Sequence, residues 1–292
     1  MNQAVPLFSA PCWIDSITTD SEKNIFYTTR DGGVWQYNRT TRRLVKLANV
    51  PRRKTSFNGG IVWKEHNKKL YMCHTYENLV LEYDLKSRTL EILQSELMFP
   101  HALCFGKDGQ LFVAERYAVQ KVPGEKQNRS SEICNPIAMV QKFDTLFVCE
   151  REQNHIRVIS LTQGRSSYLP FRFERPKGIC ADNQGNILVI DKIGVRRINL
   201  AGKHISTLPI GAVDCIAVDS QGDLIVSQQE KLCMVKTWLI ERVIWVGHLK
   251  NDPTCCLLAT LPTDLVRTIV KLVNQQFDWI TDFKMDGGDF TL

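Results

Sequence analysis

Three groups of side chains in this sequence have the chemistry to engage another molecule. The first is Asp15, Asn58 and Asp214, with His101 and Lys177 at matching places in the chain. Hard oxygen donors such as these suit Ca²⁺ or Mg²⁺. The second is the stretch "RTTRRLVKLANVPRRK" at 39–54, which carries seven Lys/Arg and no acid. Clustered positive charge of this kind attracts phosphate or RNA, here through Arg39, Arg42, Arg43, Arg52, Arg53 and Lys54. The third is a set of ten cysteines. They contain no C-x-x-C spacing, and Cys255 and Cys256 are sequence neighbours, which is poor geometry for a bridge or a metal. A nucleophilic triad has no support either. The six histidines are scattered and none lies near a Gly-x-Ser-x-Gly elbow, so no catalytic residue is assigned.

A repeat positions these residues. "GICA" at 178–181 is a short apolar run, "DNQGN" is turn chemistry, "ILVID" a second apolar run and "VRRINL" a third. A meander of this length cannot bury its own faces, so copies are required. The second strand recurs as "IFYTT" from Ile25, "LYMCH" from Leu70, "LFVAE" from Leu111, "LFVCE" from Leu146, "ILVID" from Ile187 and "LIVSQ" from Leu224. An apolar strand precedes each and a third strand follows. Six copies predict an all-β, six-bladed β-propeller over 1–237. A ring must close, so Gln3–Ser9 is expected to add a strand beside "KLCMVKT" of the last copy. Cys104 and Cys180 share one repeat position, and Cys73 and Cys149 share another. They read as small core residues and not as ligands. Glu115, Glu150 and Asp191 end second strands and are expected to hold blade turns by hydrogen bonds.

"PKGICADNQGNILVID" and "EREQNHIRVISL" resemble NHL repeats, strongly in copies three to six and weakly in the first two. WD40 and kelch patterns are not matched. The resemblance implies a scaffold for protein recognition, with RNA as a second partner class. Aligning the copies on Lys177 places Asp15, His101, Pro136 and Asp214 at the channel mouth, with Asn58 or one of its following glycines from copy two. Gluconolactonase-like propellers hold a divalent cation at such positions, so a Ca²⁺- or Mg²⁺-dependent hydrolase or lactonase is the alternative. Lys177 and Pro136 stand where ligands would be wanted. An ion pair of Lys177 with Asp214 is the simpler expectation, and no cofactor is then needed.

The net charge of +6 is mildly basic, not the extreme of a dedicated nucleic-acid binder. No stretch approaches the apolar length of a membrane span, and "MNQAVPLFSAPCW" lacks a secretory pattern. A reduced, cytoplasmic chain without a membrane role is expected. After Thr237 the β-period stops. Two helices are expected over 238–277, the second with Leu265, Val266, Ile269, Leu272 and Val273 on one stripe, and then an acidic tail over 278–292. Leu261, Pro262, Asp264 and Leu265 resemble the opening of an F-box, and the two-helix outline resembles a SOCS box. Either resemblance implies a ubiquitin-ligase adaptor.

Overall fold

The computed structural model describes residues 5–50, 58–123, 133–199, 204–208, 210 and 212–236. They belong to the first of two units in the chain, Met1–Ile240; the second, Glu241–Leu292, lies outside them. The helices, tail and adaptor motif expected beyond Thr237 therefore also lie outside the described residues.

Six antiparallel sheets form the six blades, at 14–49, 58–94, 102–122, 136–168, 178–208 and 215–235. The inner strands are Ile14–Thr19, Asn58–Lys64, Ala102–Phe105, Pro136–Lys142, Gly178–Ala181 and Cys215–Val218. Each contacts the inner strands of both neighbouring blades, which makes a closed ring around a central channel. No helix of the described residues is long and apolar enough to cross a membrane.

The second strands are apolar on both faces because a blade sits on either side. Asn24–Thr29 and Leu111–Glu115 are buried at every position. The core is accordingly a series of wedges between blades. Phe26 of blade one stacks on Trp63 of blade two, with ring centroids 4.8 Å apart. Cys73 joins the wedge between blades two and three, Cys104 the next, and Cys149 the one between blades four and five. Burial pushes all three thiols far up. The eight cysteines of the described residues are unpaired. Thiol titration in denaturant without reductant is expected to count all ten of the sequence; two or more missing would contradict this.

Local chemistry repeats as the packing does. In the turn "DNQGN", Asp182 Oδ1 accepts the N–H groups of Gln184 and Asn186 at 2.9 and 2.7 Å, and Gly185 takes φ +88°. Asp20 and Asp219 hold the same turn in blades one and six. At the other end of the second strands, carboxylates tether the chain arriving from the previous blade. Glu115 accepts from Met98 N–H at 2.5 Å, Glu150 from Cys134 N–H at 2.9 Å, and Asp191 from Glu174 N–H at 3.3 Å.

The ring closes as expected. Val5–Ser9 pairs with Lys231–Val235, Val5 opposite Met234 and Ser9 opposite Lys231. One feature differs from the three-strand repeat. Five sheets have a fourth strand, which in blades one, two, four and five is an outer one such as Arg43–Asn49, Thr89–Gln94 or Ser166–Tyr168. These strands face solvent on most sides, so no apolar alternation marks them.

Candidate functional site at the channel mouth

Inner strands begin at one face of the ring and second strands end there. This sets which side chains crowd the mouth. Lys177, His101 and Asp214 each donate their backbone N–H to the same position of the adjoining second strand, the carbonyls of Ile190, Ala114 and Ser227, at 2.8–2.9 Å. Their equivalence in the repeat is therefore also geometric. The channel has a volume of about 690 Å³, and Asp15, His101, Lys177 and Asp214 all line it. Blade two contributes Gly59 and Gly60 to the lining. Blade three approaches closely there. Gly60 N–H donates to His101 O at 2.6 Å, and a Cβ on Gly59 would stand 2.6 Å from that same oxygen. Pro136 pairs with Glu150 at the start of its strand, and the lining of blade four begins at Ile137.

Charges at the mouth neutralise one another on one side. Lys177 Nζ lies 2.7 Å from Asp214 Oδ1, while Asp214 Oδ2 accepts Gln229 N–H at 2.7 Å. Arg30 Nε approaches Asp15 Oδ1 at 3.7 Å, and the Arg30 guanidinium lies over the Trp13 ring at 4.4 Å. Burial works to raise the Asp214 carboxyl, but the Lys177 ammonium, the Gln229 N–H and Arg30 together hold it below the usual carboxylate range. The sign of the linkage follows. A lowered folded pKa stabilises the fold above the unfolded value, about 3.9, and that stability fades as pH falls through the folded value. Unfolding in urea at neutral pH and near pH 3 is expected to show this loss, and Lys177→Met is expected to reduce it. Equal pH dependence in wild type and variant would refute it. His101 behaves differently. Burial, and then the positive charge of Arg116, push its pKa down, so it is a neutral imidazole at pH 7.

Three residues at this face escape the inner-strand alignment: Arg30, Arg116 and Arg151. Each immediately follows a second strand, Asn24–Thr29, Leu111–Glu115 and Thr145–Glu150. Lys192 occupies the same place in blade five. The signal lay one residue beyond the aligned strands.

The basic stretch begins on the other face. Residues 39–42 turn between Gly33–Asn38 and Arg43–Asn49, at the end remote from the mouth. Arg39 is committed there to blade six: Nη2 lies 2.5 Å from Asp219 Oδ2, and both side chains are largely buried. Arg42 and Arg43 are exposed. Arg52, Arg53 and Lys54 lie outside the described residues, as do Leu261, Pro262, Asp264 and Leu265.

No protein-family model matches this sequence, and no curated protein matches it. Solved structures do resemble the fold. A gluconolactonase of Xanthomonas campestris is similar with a TM-score of 0.67 and 16% identity, over 79% of this chain and 88% of that one. A streptogramin B lyase is similar with a TM-score of 0.58 and 14% identity, over 77% and 79%. A chain of the mitotic checkpoint complex is similar with a TM-score of 0.61 and 14% identity, over 80% and 91%. At such identities the likeness shows a propeller and nothing finer.

Proposed function

We propose that this chain is a non-catalytic interaction scaffold of NHL-like repeats, whose propeller recognises a partner protein across its channel-mouth face. One observation carries this reading: the Lys177 ammonium lies 2.7 Å from Asp214. The hydrolase alternative needs that carboxylate as a cation ligand. An ammonium at hydrogen-bond distance repels a divalent ion, and Arg30 does the same at Asp15. Blade two brings glycines to the lining where an oxygen ligand would be wanted. Among the described residues no three His, Cys, Asp or Glu side chains stand close enough to share a metal ion. The residues present do not suit a Ca²⁺ or Mg²⁺ centre, so no catalytic step is derived through one. Rigid blades presenting loops on one face suit recognition instead. Membership of a similar chain in the mitotic checkpoint complex is compatible with a protein-binding use of this architecture. The stretch around Leu261, Pro262, Asp264 and Leu265 is a candidate second docking element in the same reading.

Calorimetric titration of the full chain with CaCl₂ and MgCl₂, beside a lactone-hydrolysis assay, tests this. The expected result is no saturable metal binding and no turnover. Stoichiometric binding that is abolished by Asp214→Asn would overturn the scaffold reading in favour of the hydrolase.

A further inference from the structure

Ion pairs at the mouth face on the side of blades one, five and six include Arg30 with Asp15, Lys177 with Asp214 and Lys192 with Glu174. On the side of blades three and four, Arg116 and Arg151 have no carboxylate partner among the described residues. Arg151 lines the channel, and its buried Nε meets no hydrogen-bond acceptor. Arg116 is exposed and lies over two rings, Phe99 at 5.6 Å and Tyr117 at 5.3 Å.

Beside these arginines is an apolar patch. Tyr76, Met98 and Tyr117 are 51%, 46% and 50% exposed, and Tyr76 meets the edge of Phe99 with centroids 6.4 Å apart. The patch is held rigidly. Phe99 adopts φ +48°, a strained conformation for a bulky side chain. Neighbouring blades pin it there. Asn78 Oδ1 accepts Phe99 N–H at 3.0 Å, Glu115 Oε2 accepts Met98 N–H at 2.5 Å, and Thr75 Oγ1 donates to Pro100 O at 2.7 Å. Exposed Tyr, Met and Arg around the half-buried Phe99, preorganised beside a channel, match the composition of interface hot spots.

We propose that this sector, from blade two to blade four, binds an acidic peptide segment of a partner protein. An apolar or aromatic side chain of the peptide sits on Tyr76, Phe99 and Tyr117, and a neighbouring carboxylate meets Arg116 and Arg151. This rests on the scaffold reading and names the chemistry of its partner. A polynucleotide is a poorer occupant. Its affinity grows with the number of phosphates neutralised. Of this sector's described cations, Arg116 and Arg151 are the ones placed to meet the carboxylate, and Asp15, Asp214 and Glu174 share the face.

The test is selection of a random displayed-peptide library on the full chain, then fluorescence anisotropy with the enriched peptides. Enriched sequences are expected to carry Asp or Glu within a few residues of an aromatic residue or leucine. Arg116→Ala and Tyr117→Ala are expected to weaken them about tenfold or more, with Arg42→Ala on the opposite face as a control without effect. Both test positions are exposed, and unchanged thermal melts would confirm folding of the variants. Peptides without acids, or peptides indifferent to both variants, would overturn this sector and leave the scaffold reading standing. A short single-stranded RNA that binds through Arg116 while no peptide is selected would replace the peptide as occupant and overturn the proposal. No binding of either probe would overturn it as well. Metal binding with lactone turnover, the separate test above, is what would remove the scaffold reading itself.

Discussion

Replacing Glu150 with alanine is expected to lower the unfolding free energy by about 3–5 kcal/mol. Glu150 ends the second strand of blade four and is 0% exposed. Its Oε1 accepts from Cys134 N–H at 2.9 Å and from Arg157 Nε at 3.1 Å. Arg157 is nearly as enclosed, and its other donors reach Ser166 Oγ at 3.2 Å and Tyr168 OH at 2.5 Å. The alanine would take a buried carboxylate away from the guanidinium, and the Cys134 N–H would lose this acceptor. The charge remaining accounts for most of the cost, so the double variant Glu150→Leu/Arg157→Leu is expected to recover much of it. Urea unfolding with an unchanged slope is the measurement. A single-variant loss below about 1 kcal/mol, the range of an exposed pair, would refute the argument.

Deleting residues 1–9 is expected to cost on the order of 5 kcal/mol, or roughly 10–20 °C in melting temperature for a domain of this size. Val5–Ser9 is an edge strand of blade six supplied from the other end of the chain. Without it Lys231–Val235 becomes a bare edge, prone to pair with another molecule. The wedge between blades six and one would lose Leu7 and Phe8, and the Phe8 ring lies tilted against Tyr37 and Tyr27, with centroids 4.4 and 5.7 Å away. A milder variant, Phe8→Ala, separates packing from pairing and is expected to lose about 2–3 kcal/mol, since the ring is only partly buried. Differential scanning calorimetry reads both. An unchanged melting curve for the deletion would show that the ring does not depend on this strand.

Much of the fold was legible before any coordinates. Second strands from Ile25 to Leu224 recur with the same order of parts, and a unit that cannot bury its own faces must stack on copies of itself. That periodicity located the inner strands, explained Cys73, Cys104 and Cys149 as packing residues, and called for an N-terminal strand to close the ring. It also paired Lys177 with Asp214, because both take the same position in neighbouring blades. The outer strands were not legible, because Arg43–Asn49 and Ser166–Tyr168 bury too little to leave an alternating pattern.

The site was legible only in part, and the reason is the range of the interactions. Strand patterns are local, whereas charge pairing between blades joins residues far apart in the chain. Arg39 reaches Asp219 across the closure of the ring, so part of a basic stretch became a tie between blades one and six. Gly59 and Gly60 bring blade two to the mouth at a point where the His101 carbonyl comes too close for a side chain. Among the described residues no carboxylate pairs with Arg116 or Arg151. The sequence by itself determined that there would be six blades and which residues fill the wedges between them. Which charges at the mouth are paired with one another was decided only when the ring set blade against blade.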